Sequence, residues 1–83
     1  ILLLDEPTGD LDTRTSDYIM KILVDLNRKY CITMLMVTHE SKHRLLSNRV
    51  VRMADGKVLQ VQTIPADERN LTYNQLKERV YKY

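Results

Sequence analysis

The sequence predicts an α/β chain: one strand–helix–strand crossover with parallel strands, then a β-hairpin and a terminal helix. Three observations carry this. An apolar run at residues 1–4, an amphipathic stretch and a second apolar run at residues 32–37 follow one another in that order. An Asp55-Gly56 pair separates two strand-like segments. Tyr73, Leu76, Val80 and Tyr83 recur at helical spacing near the C-terminus.

Residues 1–4, ILLL, form a continuous apolar run, the pattern of a strand buried on both faces of a parallel sheet. Pro7 and Gly9 end it, and Gly9 can supply a turn at positive φ. Asp12 and Thr13 offer N-cap oxygens, and Asp17 places negative charge near the first turn of the helix they start. That helix is expected to run to about Lys29, with Ile19, Ile22, Leu23 and Leu26 as the face that packs on the sheet. Cys31 falls at the turn before the second strand, which Thr38-His39 closes. Strand, helix and strand in this order require a parallel pair and a right-handed connection. A short helix is expected at residues 41–46, with His43 as a solvated surface residue.

Residues 48–53 read as a strand. Asp-Gly is the strongest short hairpin signal in the chain and leads to a partner strand at residues 57–62. Pro65 marks residues 63–70 as a linker, and Thr72 is placed to cap the last helix. The stripe on that helix is read as packing against the rest of the domain. Two units result, residues 1–62 and a linker with C-terminal helix at residues 63–83.

Composition narrows the function class. The chain has 83 residues, 43% hydrophobic and 29% charged, which is globular rather than disordered. A net charge of +2, with basic and acidic residues interleaved as in Lys77-Glu78-Arg79, argues against a nucleic-acid-binding stripe. One cysteine excludes an internal disulfide. No run reaches the roughly 18 apolar residues of a membrane span. The chain opens on Ile1 inside an apolar run, which is read as the interior of a longer protein.

The chemistry concentrates at Asp5-Glu6. Ligands of open α/β sheets gather at the carboxyl ends of strands. Two carboxylates placed there are costly to desolvate without a cation nearby, and a divalent metal with its phosphates would provide one. Magnesium takes few carboxylates plus phosphate oxygens and water. Because neighbouring strand residues face opposite ways, the two acids are expected to do different work. Alone, the pair reads as solvated acids at a strand-to-loop junction, and the surrounding sequence reverses that reading.

Residues 1–12, ILLLDEPTGDLD, closely resemble the Walker B motif and D-loop of the ATP-binding-cassette (ABC) ATPases. A helix follows, then an apolar strand ending in Thr38-His39, where His39 matches the family's switch histidine. The stretch VVRMADGKV is similar to the family's closing hairpin. The resemblance covers residues 1–62. The spacer Thr8-Gly9-Asp10-Leu11-Asp12 resembles the exporter-like group that includes lipoprotein-releasing and macrolide-efflux ATPases.

What the resemblance implies is a partial P-loop NTPase-type sheet from the C-terminal part of a nucleotide-binding domain, one that couples ATP hydrolysis to transport. Asp5 would help hold Mg2+. Glu6 would be the general base that orients the attacking water. Asp12 would lie in the D-loop, which crosses to a second nucleotide-binding domain. His39 would contact the γ-phosphate of ATP. The implied partners are that second domain and a transmembrane permease, with no nucleic acid, and the implied location is the cytoplasmic face of a membrane. No G-x-x-x-x-G-K-[ST] occurs, and Gly9 and Gly56 are the only glycines, so the phosphate-binding loop is absent. The chain by itself is therefore expected to be inactive, with catalysis belonging to the intact subunit. Two other readings stay open: a soluble ABC ATPase acting on ribosomes, and a truncated, non-catalytic interaction fragment.

Overall fold

A computed structural model describes residues 1–39 and 42–83. Its elements are β1 (Leu2–Asp5), α1 (Thr13–Tyr30), β2 (Met34–Val37), a 3₁₀ turn (Arg44–Leu46), β3 (Arg49–Ala54), β4 (Lys57–Thr63) and α2 (Ala66–Lys82). β1 pairs with β2 in parallel, with Leu2 opposite Met34 and Asp5 opposite Val37. β3 and β4 form an antiparallel hairpin with a bulge between Arg52 and Met53. The α/β crossover, the hairpin and the terminal helix follow the order expected from the sequence.

α1 starts where Asp12 accepts the Thr15 N–H at 2.7 Å, the N-cap bond the sequence promised. It ends at Cys31, an exposed residue in the left-handed region. Its inward stripe differs from the expected one. Ser16, Asp17 and Met20 are buried, whereas Ile22 is exposed. The reason is α2. Met20, Leu76 and Val80 form the core, with Leu23, Met36 and Leu46 packed against it, so α1 must serve a helix as well as the sheet.

α2 corrects the expected linker. The helix begins directly after Pro65, which occupies its N-cap. A proline bars a helix interior but not its start, where the first N–H groups lack intrahelical partners anyway. Asp67 and Glu68 then sit in the first turn, where the helix dipole favours them. Thr72 is no cap: it lies inside the helix and its hydroxyl donates to the Glu68 carbonyl at 2.8 Å.

The two helices run antiparallel, joined by side chains along their length. Tyr73 donates to Asp25 at 2.6 Å, and Asp25 also receives Lys21 at 2.7 Å. Arg28 lies over the Tyr73 ring at 4.2 Å and bonds Asn70 at 3.0 Å. At the other end Asp17 receives Arg79 and Tyr83. The C-terminal stripe thus packs within the molecule, as its spacing suggested.

The parallel strands are covered on one face only among the described residues. Leu4, Met34 and Met36 are partly buried, but Leu3, Leu35 and Val37 stay more than half exposed. This corrects the expectation of burial on both faces: the helices lie on one side. The hairpin is similarly open, and Val51, Met53, Val58, Leu59 and Val61 are all exposed. Its turn is the expected one. Asp55 and Gly56 both have positive φ, 52° and 73°, as a two-residue hairpin turn of the primed type requires. The expected short helix survives as the 3₁₀ turn Arg44–Leu46; its Ser41 end lies outside the described residues.

Candidate active site

β1 ends at Asp5, and the chain continues its pairing for one more bond, Glu6 N–H to the Val37 carbonyl at 2.8 Å. There the backbone turns sharply. Glu6 adopts φ 48°, a left-handed conformation that costs a non-glycine residue roughly 1 kcal/mol or more. Two turn bonds follow, Gly9 N–H to the Glu6 carbonyl and Leu11 N–H to the Thr8 carbonyl. The loop is further stitched to α1 by the Ser16 hydroxyl, which reaches the Leu11 carbonyl at 3.5 Å. Positive φ falls on Glu6 and not on Gly9, where the sequence had suggested it; a Cβ at Gly9 would meet only ordinary contacts with Glu6 at 3.5 Å.

The Glu6 carboxylate lies across the end of β2. Its Oε1 accepts the His39 backbone N–H at 2.7 Å, and its Oε2 accepts the Thr38 hydroxyl at 3.2 Å. The His39 Nε2 stands 3.6 Å from Oε1. An ionised carboxylate can accept about four hydrogen bonds. Two directions are fixed by neutral donors, and the side chain is 31% exposed, so a water can reach what remains. The His39 imidazole is 97% exposed and lies beyond hydrogen-bond reach of Glu6, leaving it available to an incoming group.

The structure thus brings together two of the residues singled out in the sequence, Glu6 and His39, from strand ends 33 positions apart. Asp5 adjoins them on β1 but shares the exposed face with Leu3, Leu35 and Val37. Its neighbour Glu6 lies just beyond β1 at φ 48°, and that turn, not strand alternation, directs its carboxylate to the end of β2. Among the described residues no cluster of three or more His, Cys, Asp or Glu could cage a metal. A single exposed carboxylate such as Asp5 fits a magnesium ion that arrives on phosphates and keeps its waters, and does not fit a protein-enclosed ion.

Asp12 is set apart from this pair. It is exposed at the N-cap of α1, where the Thr15 backbone N–H, with help from its side chain, holds the carboxyl below the usual range. Two participants escaped the sequence reading. Thr38 reads in the sequence only as the close of a strand, yet its hydroxyl donates to the Glu6 carboxylate. His43, expected at the surface, is buried against Asp17, with Nε2 at 3.4 Å from Oδ1. The signal was present: Asp17 lies three residues before Met20 and seven before Val24, on the buried stripe of α1.

Asp17 is the most enclosed charge described. Burial pushes its carboxyl up, but hydrogen bonds from Arg79, Tyr83 and His43, with the Arg79 charge, outweigh this and hold it below the usual range. It is not a first-turn helix-dipole acid, as the sequence had implied, but a buried junction between helices.

Comparison with known proteins gives consistent relatives. The chain is 45% identical over 76 residues to ABC transporter H family member 2 of Dictyostelium discoideum, covering 92% of the chain and 15% of that protein. It is 43% identical over 68 residues to the lipoprotein-releasing system ATP-binding protein LolD of Koribacter versatilis, covering 80% of the chain and 30% of that protein. It is 47% identical over 58 residues to the macrolide export ATP-binding/permease protein MacB of Rhodopirellula baltica, covering 70% of the chain and 8% of that protein. The chain therefore spans less than a third of each of these relatives. No family model matches it, and no solved structure matches it. The similarity to ABC ATP-binding proteins, including the exporter-like group that the Thr8–Asp12 spacer resembles, extends over most of the chain.

Proposed function

We propose that this chain is the C-terminal part of an ABC ATPase nucleotide-binding domain, with the P-loop NTPase-type fold, whose intact form couples ATP hydrolysis to transport. The observation that carries this reading is the Glu6 carboxylate, held by Thr38 and His39 where two parallel strands end together. Open α/β sheets bind ligands at such strand ends. The relatives supply the chemical class.

In this reading Glu6 is the general base. Its two fixed oxygens keep the carboxylate in one orientation, so a water placed on its open side is aimed rather than merely attracted. His39 gives a hydrogen bond to the terminal phosphoryl group from its exposed imidazole. Asp5, the last residue of β1, would be the carboxylate that holds Mg2+. Bound there, the ion would neutralise charge on the phosphate oxygens. Phosphoryl transfer relies on positioning and charge stabilisation, which these three side chains can provide without covalent chemistry. Asp12 and the loop before it face a second nucleotide-binding domain.

The missing phosphate-binding loop assigns nucleotide capture to a part of the subunit outside these 83 residues. No helix among the described residues is long and apolar enough to cross a membrane. Attachment to the cytoplasmic face of a membrane is assigned to a permease partner.

The test uses the intact subunit. Glu6→Gln should lower ATP turnover by about 10²–10⁴-fold, the worth of a positioned base, while ATP still binds. His39→Ala should cost about 10²–10³-fold. Turnover within twofold of wild type in Glu6→Gln, measured by phosphate release, would remove Glu6 as the base. Micromolar magnesium-dependent ATP binding by the 83-residue chain alone would contradict the assignment of nucleotide capture.

A further inference from the structure

The hydrolytic reading leaves the most enclosed charge among the described residues unused. Asp17 has a side chain only 3% exposed, and both of its oxygens are occupied. Oδ1 meets His43 Nε2 at 3.4 Å and Arg79 Nη2 at 3.3 Å. Oδ2 receives Arg79 Nε at 3.0 Å and the Tyr83 hydroxyl at 2.6 Å. The Tyr83 ring is itself flanked by Tyr18 at 5.9 Å and by the Arg14 guanidinium at 5.1 Å.

These groups come from three places with different relations to the site. Asp17 belongs to the second turn of α1, one residue beyond Ser16, whose N–H and hydroxyl tie it to Asp12 and Leu11 of the loop that leaves Glu6. His43 follows His39 by four positions. Arg79 and Tyr83 are the C-terminal end of α2. One carboxylate therefore joins the two chain segments that leave the strand ends and fastens both to the last turn of the chain.

We propose that Asp17 is a positioning residue for the His39 side of the site, and that the Arg79–Tyr83 end of α2 holds it in that role. This rests on the reading of Glu6 and His39 as the hydrolytic pair. The physical argument is desolvation. A buried carboxylate is tolerated only while it is paired and hydrogen-bonded. Remove the guanidinium, and Asp17 must admit water, which weakens its contact with His43, four positions after His39. The C-terminal helix thereby controls how well the imidazole is aimed, although it touches no reacting group.

Amide hydrogen exchange on the 83-residue chain tests the tie without depending on catalysis. Arg79→Gln should raise exchange at residues 37–47 by about tenfold, while the hairpin at residues 49–63 keeps its wild-type rates, because opening is local. Tyr83→Phe removes one hydroxyl and retains the charge pair. It should give a smaller rise, about threefold, in the same segment, and it decides the question if Arg79→Gln does not fold. In the intact ATPase, Arg79→Gln should lower kcat by about tenfold with KM for ATP within about twofold, since aim is lost and not nucleotide binding. Exchange that rises evenly along the chain, or stays unchanged at residues 37–47, would overturn the proposal. Localised exchange combined with full turnover in Glu6→Gln would instead sink the hydrolytic reading and leave the Asp17 tie standing.

Discussion

The helical pair and the hairpin contain similar apolar side chains and treat them in opposite ways. Between α1 and α2, Met20, Leu76 and Val80 are buried, and the seam is sealed at both ends by a tyrosine hydroxyl on a carboxylate, Tyr83 on Asp17 and Tyr73 on Asp25. In the hairpin, Val51, Met53, Val58, Leu59 and Val61 are all exposed. The hairpin is held by its backbone ladder and by Ile64, which is fully buried and donates its N–H to the Asn48 carbonyl. Hydrophobicity alone therefore does not decide burial here; the presence of an opposing element does. The stability of the chain belongs to its helices, and its surface for contact belongs to its strands.

The sharpest way to break this comparison is a matched pair of truncations. Leu76→Ala removes a fully buried side chain from the helical core and should cost about 2–5 kcal/mol in urea unfolding. Val61→Ala, on the exposed hairpin, should stay within about 0.5 kcal/mol of wild type. Equal losses would mean that the hairpin is as deeply engaged as the helices.

Acid should separate the two halves next. Asp17 and Asp25 both lie in the helical seam, and for both, burial raises the carboxyl but hydrogen bonds and charge outweigh it, so the folded value is lowered. The unfolded chain then binds more protons, and stability falls with falling pH. Their contribution is complete above the ordinary carboxylate value of about 4 and disappears as pH drops through the lower folded values. Tyr73 and Tyr83 behave inversely: a carboxylate partner raises each phenol, so their contribution is complete below about pH 10 and lost above it. Helical circular dichroism should be flat between these limits and fall as the pH drops below about 4. A helical signal unchanged at pH 2 would show that the two carboxylates do not hold the seam.

The same contrast explains how much was legible in the sequence. Local signals held: the Asp12 cap, the Asp55-Gly56 turn, the parallel run order and the meeting of Glu6 with His39 all depend on residues whose chemistry acts at short range or on the βαβ rule. What failed depended on an unseen neighbour. Ile22 was placed inside because its spacing fits one face, and α2 selected another. Pro65 was read as breaking structure when it starts a helix, since a proline's effect depends on which side of it the helix lies. The sequence reads His43 as a solvated surface residue and Asp17 as a first-turn acid, because their partners stand 26 to 66 residues away. A polar residue on an apolar stripe is the one sequence-level hint of such a junction, and Asp17 carried it.

The smallest expected effect tests whether the two halves are independent. Gly56 has φ 73°, and a Cβ built there would meet nothing within 4 Å. Gly56→Ala therefore introduces no clash with other residues, and its cost is confined to the backbone conformation, about 1 kcal/mol. Because the turn nucleates only the hairpin, that cost should appear as faster amide exchange in β3 and β4 and nowhere in α1 or α2. If the helices respond equally, the hairpin and the seam unfold as one unit, and the division between a stabilising half and a contact half does not hold. If only the strands respond, the exposed hairpin face can be altered without disturbing the Asp17 junction, which lies among the helices and the segment behind His39.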